Sequence, residues 1–385
     1  MRRALTSILA WSAILMIAPV ASATSLTRGP YLGRPDDRSV AVVWRTDVAT
    51  NGVLSYGIAG ETWTTVDDVS SATEHRIALD HLESGARYGY TVGDGGAVLA
   101  QGTFVAPRSG DETTFSFGVI GDTDGDAAGT LAKAMATENV DFVLHTGDVV
   151  YPAGAEADYD AKFFRPFESL IEGVPVLPAI GNHDAKTAKG AALLDDFVLP
   201  KNDSGNSRYY ALRQGNALFI CLDVETSSYG YGSAQYRWLD SVLRTSDATW
   251  KFVWLHEPPY SSAQANNLVR LVLCPIFEYY GVDVVFSGHE HLYERTSAIH
   301  DFVKKGKGVI YVTVGGGGAK LSRFQPEDDS AFVDARFCYV TARIDRTMLT
   351  LEAHDPDGRV FDSVVLGSGP PPKAGTRSRR VRRHG

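Results

Sequence analysis

The sequence predicts an α/β chain in two unequal parts, a small β-sandwich followed by a larger layered α/β unit. Three observations predict it. Residues 24–107 carry no helical period, only short β-rich runs split by Gly and Asp turns. Beyond Pro107, apolar strand-like runs alternate with helical patterns. Those later strand-like runs end, one after another, in Asp, Asn or His.

In the first part the strand-like runs are residues 39–45, 52–56, 75–79, 88–92 and 99–104. Short strands at this spacing, with Trp44 in an apolar run, argue a sandwich. In the second part strands are expected at 115–120, 140–144, 174–180, 217–222, 250–255, 282–286 and 309–314. Helices are expected near 127–139, 163–172, 234–245 and 267–280, with Pro275 kinking or ending the last. Strands at 338–344, 348–353 and 360–366 close the unit.

The two ends read differently. Arg2 and Arg3 precede an apolar stretch, Ile8 to Val20, that finishes in Ala21-Ser22-Ala23. This is the pattern of a secretory signal peptide cleaved after Ala23. The apolar stretch falls short of the ~20 residues a membrane span needs. At the other end, a Gly/Pro linker leads into an Arg-rich tail expected to be disordered. The expected organisation is signal peptide 1–23, sandwich 24–107, catalytic unit 108–366, and linker with tail 367–385.

Composition excludes several classes. The 385 residues are 44% hydrophobic and 22% charged, which rules out a disordered protein and a collagen. A net charge of −9 leaves the body without a basic field for nucleic acid. Cys221, Cys274 and Cys338 are too few for a disulfide framework. Cys221 and Cys338 lie in strand-like runs and read as buried thiols.

Chemistry concentrates at the strand ends. The first block is Gly121-Asp122 and the second Gly147-Asp148-Val-Val-Tyr151. Gly181-Asn182-His183-Asp184, Val253-Trp-Leu-His256 and Gly288-His289-Glu-His291 follow in order. In open α/β sheets a ligand site gathers at the carboxyl ends of the strands. Where glycine precedes a donor, it lets the chain turn sharply there. Carboxylate and amide oxygens mixed with imidazoles suit zinc, manganese or iron. The donors outnumber one tetrahedral site, so a two-metal cluster is inferred.

These five ordered blocks resemble those of the purple acid phosphatases, within the metallophosphoesterase superfamily. The likeness covers nearly the whole chain after residue 23, and Tyr151 is its sharpest token, since generic metallophosphoesterases lack it. Arg28-Gly-Pro-Tyr31 is a typical opening, and residues 85–90 resemble the penultimate strand of a fibronectin type III-like module. The implied fold is a fibronectin type III-like β-sandwich followed by a metallophosphoesterase α/β sandwich.

The resemblance also implies roles for residues. Asp122, Asp148, Tyr151 and His291 would make a ferric site, the Tyr151 phenolate giving the purple colour. Asp148, Asn182, His256 and His289 would hold a second, divalent metal (zinc, manganese or iron), with Asp148 bridging the two. The implied activity is that of a secreted acid phosphatase, hydrolysing small-molecule phosphomonoesters through a metal-bound hydroxide. His183 would hydrogen-bond the phosphate or help protonate the leaving group. The expected location is extracellular or periplasmic, with no regulatory nucleic-acid partner and no membrane span.

Two departures stand out. Where the family usually has Gly, this chain has Asp124, which reads either as an additional metal ligand or as a loop Asp bonding its own backbone. The segment Glu257 to Asn266 contains no His, although the family commonly supplies one or two substrate histidines there. Tyr260, Gln264 and Asn266 are the candidates to replace them.

Other residues carry plainer readings. His145 reads as a strand-end hydrogen bonder, Gly315 to Gly318 as a tight turn near the site, and Asn202-Asp-Ser204 as a glycosylation acceptor. The missing histidine motivates an alternative, a phosphodiesterase or nucleotide hydrolase on the same site. A non-catalytic binding protein with a vestigial site is the alternative of another class, and seven matched ligand positions argue against it.

Overall fold

The structure is a computed structural model that describes residues 24–34, 36–110 and 112–367. The expected signal peptide, 1–23, and all of the expected linker and tail, 367–385, except Gly367 lie outside the described residues.

Five antiparallel strands build the first part: Leu26–Gly33, Val40–Ile58, Thr64–Leu79, Arg87–Gly93 and Val98–Val105. The runs at 39–45 and 52–56 are one strand of 19 residues, not two. Register shifts between Arg45 and Gly52 bend it without ending it. Its first half pairs with Leu26–Gly33 and its second with Arg87–Gly93. The bent sheet folds over a core that includes Trp44, Leu54, Tyr90 and Phe104.

The second part is two sheets face to face. One has six strands, ordered Val360–Gly367, Met348–His354, Tyr339–Asp345, Thr114–Ile120, Phe142–His145 and Val176–Pro178. The other has seven, ordered Ser330–Asp334, Tyr293–Thr296, Ile310–Val314, Val284–Ser287, Trp250–Trp254, Ala217–Cys221 and Tyr210–Gln214. Aromatic rings lock the two sheets: Phe117 lies 5.0 Å from Phe219 and 5.2 Å from Phe252, centroid to centroid. Helices Gly125–Met135 and Arg165–Ile171 cover the first sheet, and Ala234–Thr245 and Asn267–Tyr280 cover the second. This is the expected α/β sandwich.

Two further sequence expectations are settled, and one residue gains a reading. Asn267–Tyr280 does not end at Pro275 but continues through it. The carbonyl that Pro275 leaves without a partner belongs to Leu271, whose side chain is on the solvent face, 60% exposed, where water can satisfy it. Asn202 is buried, its amide donating to Asn206 Oδ1 and to the Tyr209 carbonyl, so it presents no free acceptor for a glycan. Cys274 joins Cys221 and Cys338 as a buried free thiol.

The two parts are tied by charge. Arg45 donates to the buried Asp196 carboxylate at 2.6 Å, and Arg28 pairs with the same carboxylate. The Tyr31 hydroxyl donates to the Asp196 carbonyl at 2.6 Å.

The parallel core strands decide where chemistry can occur. Thr114–Ile120, Phe142–His145 and Val176–Pro178 run parallel, as do Ala217–Cys221, Trp250–Trp254, Val284–Ser287 and Ile310–Val314. Their carboxyl ends share one rim.

Candidate metal centre

Each sheet brings a different kind of donor to that rim. Asp122, Asp148 and Asn182 follow three parallel strands of the six-stranded sheet. His256 and His289 follow two strands of the seven-stranded sheet, and His291 lies two residues further on. Oxygen therefore comes from one sheet and imidazole from the other.

The backbone is forced at these positions. Asp122, Asp148 and His289 have φ of 58°, 53° and 66°, a region that costs a residue with a Cβ about 1–3 kcal/mol. Three strand ends, two in one sheet and one in the other, hold that strain at the rim. Among the preceding glycines only Gly147 has positive φ, at 101°. A Cβ on Gly121 would overlap Thr146, on Gly181 it would overlap Asp148, and on Gly288 it would overlap Asp122. Those three are glycine for close approach rather than for the sharp turn expected from sequence. A Cβ on Gly315 would overlap the Glu290 carbonyl and crowd Asp122, so this turn passes near the site as the tight-turn reading anticipates.

The donors converge. Asp122, Asp148 and His256 place ligand atoms within 4.8 Å of one another, all buried. Tyr151 Oη lies 3.3 Å from Asp122 Oδ1 and 3.0 Å from His291 Nε2. Asn182 Oδ1 lies 2.9 Å from His256 Nε2 and 3.2 Å from His289 Nδ1. The backbone N–H of His183 donates to Asp148 Oδ1 at 2.7 Å, and its ring lies against that of Tyr151, tilted by 44° with centroids 4.3 Å apart. All seven residues matched as ligands, and His183, meet at one place.

The electrostatics ask for a cation. Burial, and then the charge of Asp148, push the Asp122 carboxyl well above the usual carboxylate range. Among the described residues no Lys or Arg pairs with either carboxylate; imidazoles face them instead. Those imidazoles are fixed as bases. His256 Nδ1 donates to the Thr146 carbonyl at 2.9 Å and His291 Nδ1 to the Lys320 carbonyl at 2.7 Å. Each Nε2 lone pair is left facing a carboxylate oxygen, at 3.5 Å and 3.6 Å. Lone pairs aimed at carboxylates in a buried site fit metal ions between them. With oxygen and imidazole donors and no thiol in the set, the residues suit iron, zinc or manganese.

Asp124 stands before the helix Gly125–Met135 and accepts no capping hydrogen bond from it, so its side chain is not spent on its own backbone there. His145 does what its plain reading says. Gly147 N–H donates to its Nδ1, so Nε2–H donates to Thr123 Oγ1, and burial lowers its pKa to about 3.

After His256 the candidates separate. Tyr260 is buried against Tyr311, away from the rim. Asn266 caps the helix Asn267–Tyr280, accepting from Leu268 and Val269 at 2.9 Å. Gln264 lines a cleft of about 250 Å³ beside His289, together with Glu257, Asn266 and Asn267.

Sequence reasoning gave no role to three residues near the centre. Asp184 is buried and accepts from the N–H groups of Val149, Val150 and Gly181 at 3.0–3.3 Å, stitching two donor loops together. Burial and the Asp148 charge raise its carboxyl to about 7. Glu225 follows the strand Ala217–Cys221, with Oε1 unpartnered. Burial, then Glu257 and Asp148, raise it to about 8. Lys186 touches the His183 ring. Only Asp184 had a signal, its place in the third block.

Comparison with known proteins agrees with the geometry. The two facing sheets with this donor rim define a metallophosphoesterase: residues 115–293 match the calcineurin-like phosphoesterase family model. Residues 308–363 match the model described as iron/zinc purple acid phosphatase-like protein C. Purple acid phosphatase 1 of Ipomoea batatas is 29% identical over 308 residues, covering 70% of this chain and 64% of that protein. Fe(3+)-Zn(2+) purple acid phosphatase 12 of Arabidopsis thaliana is 28% identical, covering 68% and 64%. This chain thus spans just under two thirds of each relative's length. A purple acid phosphatase from Lupinus luteus seeds shares the fold, with a TM-score of 0.77 at 22% identity over 88% of this chain and 74% of that one. Over most of its length the chain is similar to purple acid phosphatases.

Proposed function

We propose that this protein hydrolyses phosphomonoesters of small molecules at a dinuclear metal centre, and that it does so outside the cytoplasm. The observation that carries the reading is the pair of buried carboxylates faced by imidazole lone pairs with no protein cation between them. A relative's name specifies Fe(3+) and Zn(2+), and the same donor types are available here for iron and a second divalent ion. Asp122, Tyr151 and His291 would hold the first and Asn182, His256 and His289 the second, with Asp148 shared. When bound, the metals supply charge for the phosphoryl oxygens and a hydroxide nucleophile.

The chain's own residues do the rest. Backbone carbonyls at Thr146 and Lys320 hold two imidazoles in the ligating tautomer. Asp184 holds the Asp148 and Asn182 loops at fixed separation. His183, anchored through its backbone to Asp148 and through Nδ1 to the Pro152 carbonyl at 2.7 Å, presents its ring beside Tyr151. It is placed to hydrogen-bond the ester or the departing alcohol.

A second reading, a diesterase, draws on the amide-lined cleft beside His289, which holds no histidine of the segment after His256. The test is turnover of an aryl phosphomonoester beside the matching diester, across pH, with metal-loaded protein lacking residues 1–23. Preference for the monoester at acid pH is expected. Preference for the diester moves the protein to the second reading, and no turnover of either overturns both.

A further inference from the structure

One positive charge at the rim has no carboxylate to answer it. Lys186 Nζ lies 3.0 Å from Nδ1 and 3.2 Å from Nε2 of His183, and 3.3 Å from the Pro152 carbonyl oxygen. Among the described residues it makes no ion pair with an Asp or Glu, which Lys162 and Lys305 do, and it differs from the other unpaired lysines in lying on a ring beside the donor cluster. An exposed lysine normally turns to water or to a carboxylate. This one turns to an imidazole and a carbonyl at the mouth of the centre.

Its position follows from the local fold. The short helix Asn182–Ala185 begins directly after the third donor-bearing strand end, and Lys186 closes it. Residues three apart on a helix share a face, so Lys186 is brought beside His183. His183 is in turn one hydrogen bond from Asp148 and in ring contact with Tyr151. The ammonium is therefore one side chain removed from the donor cluster.

The opposite rim lacks such a charge. The cleft beside His289 is lined by Glu257, Pro258, Gln264, Ala265, Asn266 and Asn267, with no basic residue besides His289 itself. An arriving phosphate dianion finds neutral amides and a carboxylate there. At Lys186 it finds an ammonium whose present partners are weaker acceptors than a phosphate oxygen, and a charge-assisted hydrogen bond is the stronger kind.

We propose that Lys186 binds the phosphoryl group at this centre, supplying the positive charge that residues 257–266 do not. The inference rests on the phosphoesterase reading for its biological meaning, but its test does not need turnover. Inorganic phosphate is titrated calorimetrically into metal-loaded full-length protein, for wild type, Lys186→Met, Lys186→Arg and the nearby control Lys189→Met. Metal content and unfolding midpoint are recorded for each.

Loss of one charged hydrogen bond predicts about tenfold weaker phosphate binding for Lys186→Met and recovery to within about threefold for Lys186→Arg. The control is expected to match wild type, and the affinity of the Met variant is expected to fall less steeply with salt. KM for an aryl phosphomonoester is expected to rise in step with the phosphate constant. Wild-type affinity in Lys186→Met overturns the proposal, as does a wild-type protein that binds no phosphate. Weaker phosphate binding in the Met variant without turnover in any form would leave Lys186 an anion-binding residue and overturn the phosphoesterase reading instead.

Discussion

The carbonyl oxygen of Thr146 accepts from Nδ1 of His256 at 2.9 Å, which points the other ring nitrogen at the Asp148 carboxylate. Lys320 and His291 repeat the arrangement toward Asp122. Without a cation, burial and the Asp148 charge hold the Asp122 carboxyl well above the usual carboxylate range, so it keeps a proton that a metal would replace. Metal loading then displaces protons. Adding zinc to chelator-stripped protein in a pH-stat near pH 6 is expected to release protons and to raise the unfolding temperature. Loading with no proton release would contradict the raised Asp122 carboxyl.

Asp148 is the shared donor, so its removal reaches both halves of the site. Asp148→Ala is expected to lose metal at both positions and to abolish turnover, read by metal analysis beside a phosphomonoester assay. Turnover at the wild-type rate would sink the dinuclear reading.

Asp184 acts one layer out. Asp184→Ala orphans the buried N–H groups of Val149, Val150 and Gly181, each worth about 1–3 kcal/mol when left unsatisfied. Metal affinity is expected to drop about 10–100-fold as the loops loosen. Asp184→Asn keeps an acceptor oxygen, so it is expected to unfold later than the Ala variant in urea. Equal midpoints would mean the carboxyl does not stitch the loops.

Tyr151 approaches Asp122 and His291 from outside the sheets. If its phenolate binds ferric iron, Tyr151→Phe loses the visible absorption band while iron content stays close to wild type. A band that survives the substitution would assign the colour elsewhere.

Asp283 offers a pH test far from the metals. Burial raises its carboxyl from 3.8 to about 6, although it accepts from the Lys251 N–H at 2.8 Å. Between those values the folded chain keeps a proton that the unfolded chain has lost. The stability this group lends is full below about pH 4 and is lost as pH rises through about 6. Asp283→Asn keeps an acceptor without the charge. Its unfolding midpoint relative to wild type is expected to improve between about pH 4 and about pH 7. An unchanged difference across that window would refute the buried carboxyl's role.

Much of this protein was legible in its residues. The alternation of apolar runs and helical patterns placed the strands of the six-stranded sheet and the parallel core of the seven-stranded sheet, because burial on both faces leaves continuous apolar runs. The antiparallel strands Tyr210–Gln214, Tyr293–Thr296 and Ser330–Asp334 escaped, since they sit at sheet margins and mix polar with apolar residues. The bend in Val40–Ile58 escaped for another reason: Asp47 to Asn51 reads as a turn, yet the ladder resumes across it.

Sequence alone picked out the candidate donors, because metal-capable side chains recurred behind apolar runs in a fixed order. It did not determine that oxygen donors come from one sheet and imidazoles from the other. Nor did it show that Asp184 binds two loops, that Asn266 is spent on a helix cap, or that Lys186 lies on His183. Those facts depend on how two sheets meet, through Phe117, Phe142, Phe219 and Phe252, and on which carbonyl each ring finds. Periodicity encodes the face a residue shows along its own strand or helix. Only packing between elements far apart in the chain decides what stands opposite that face.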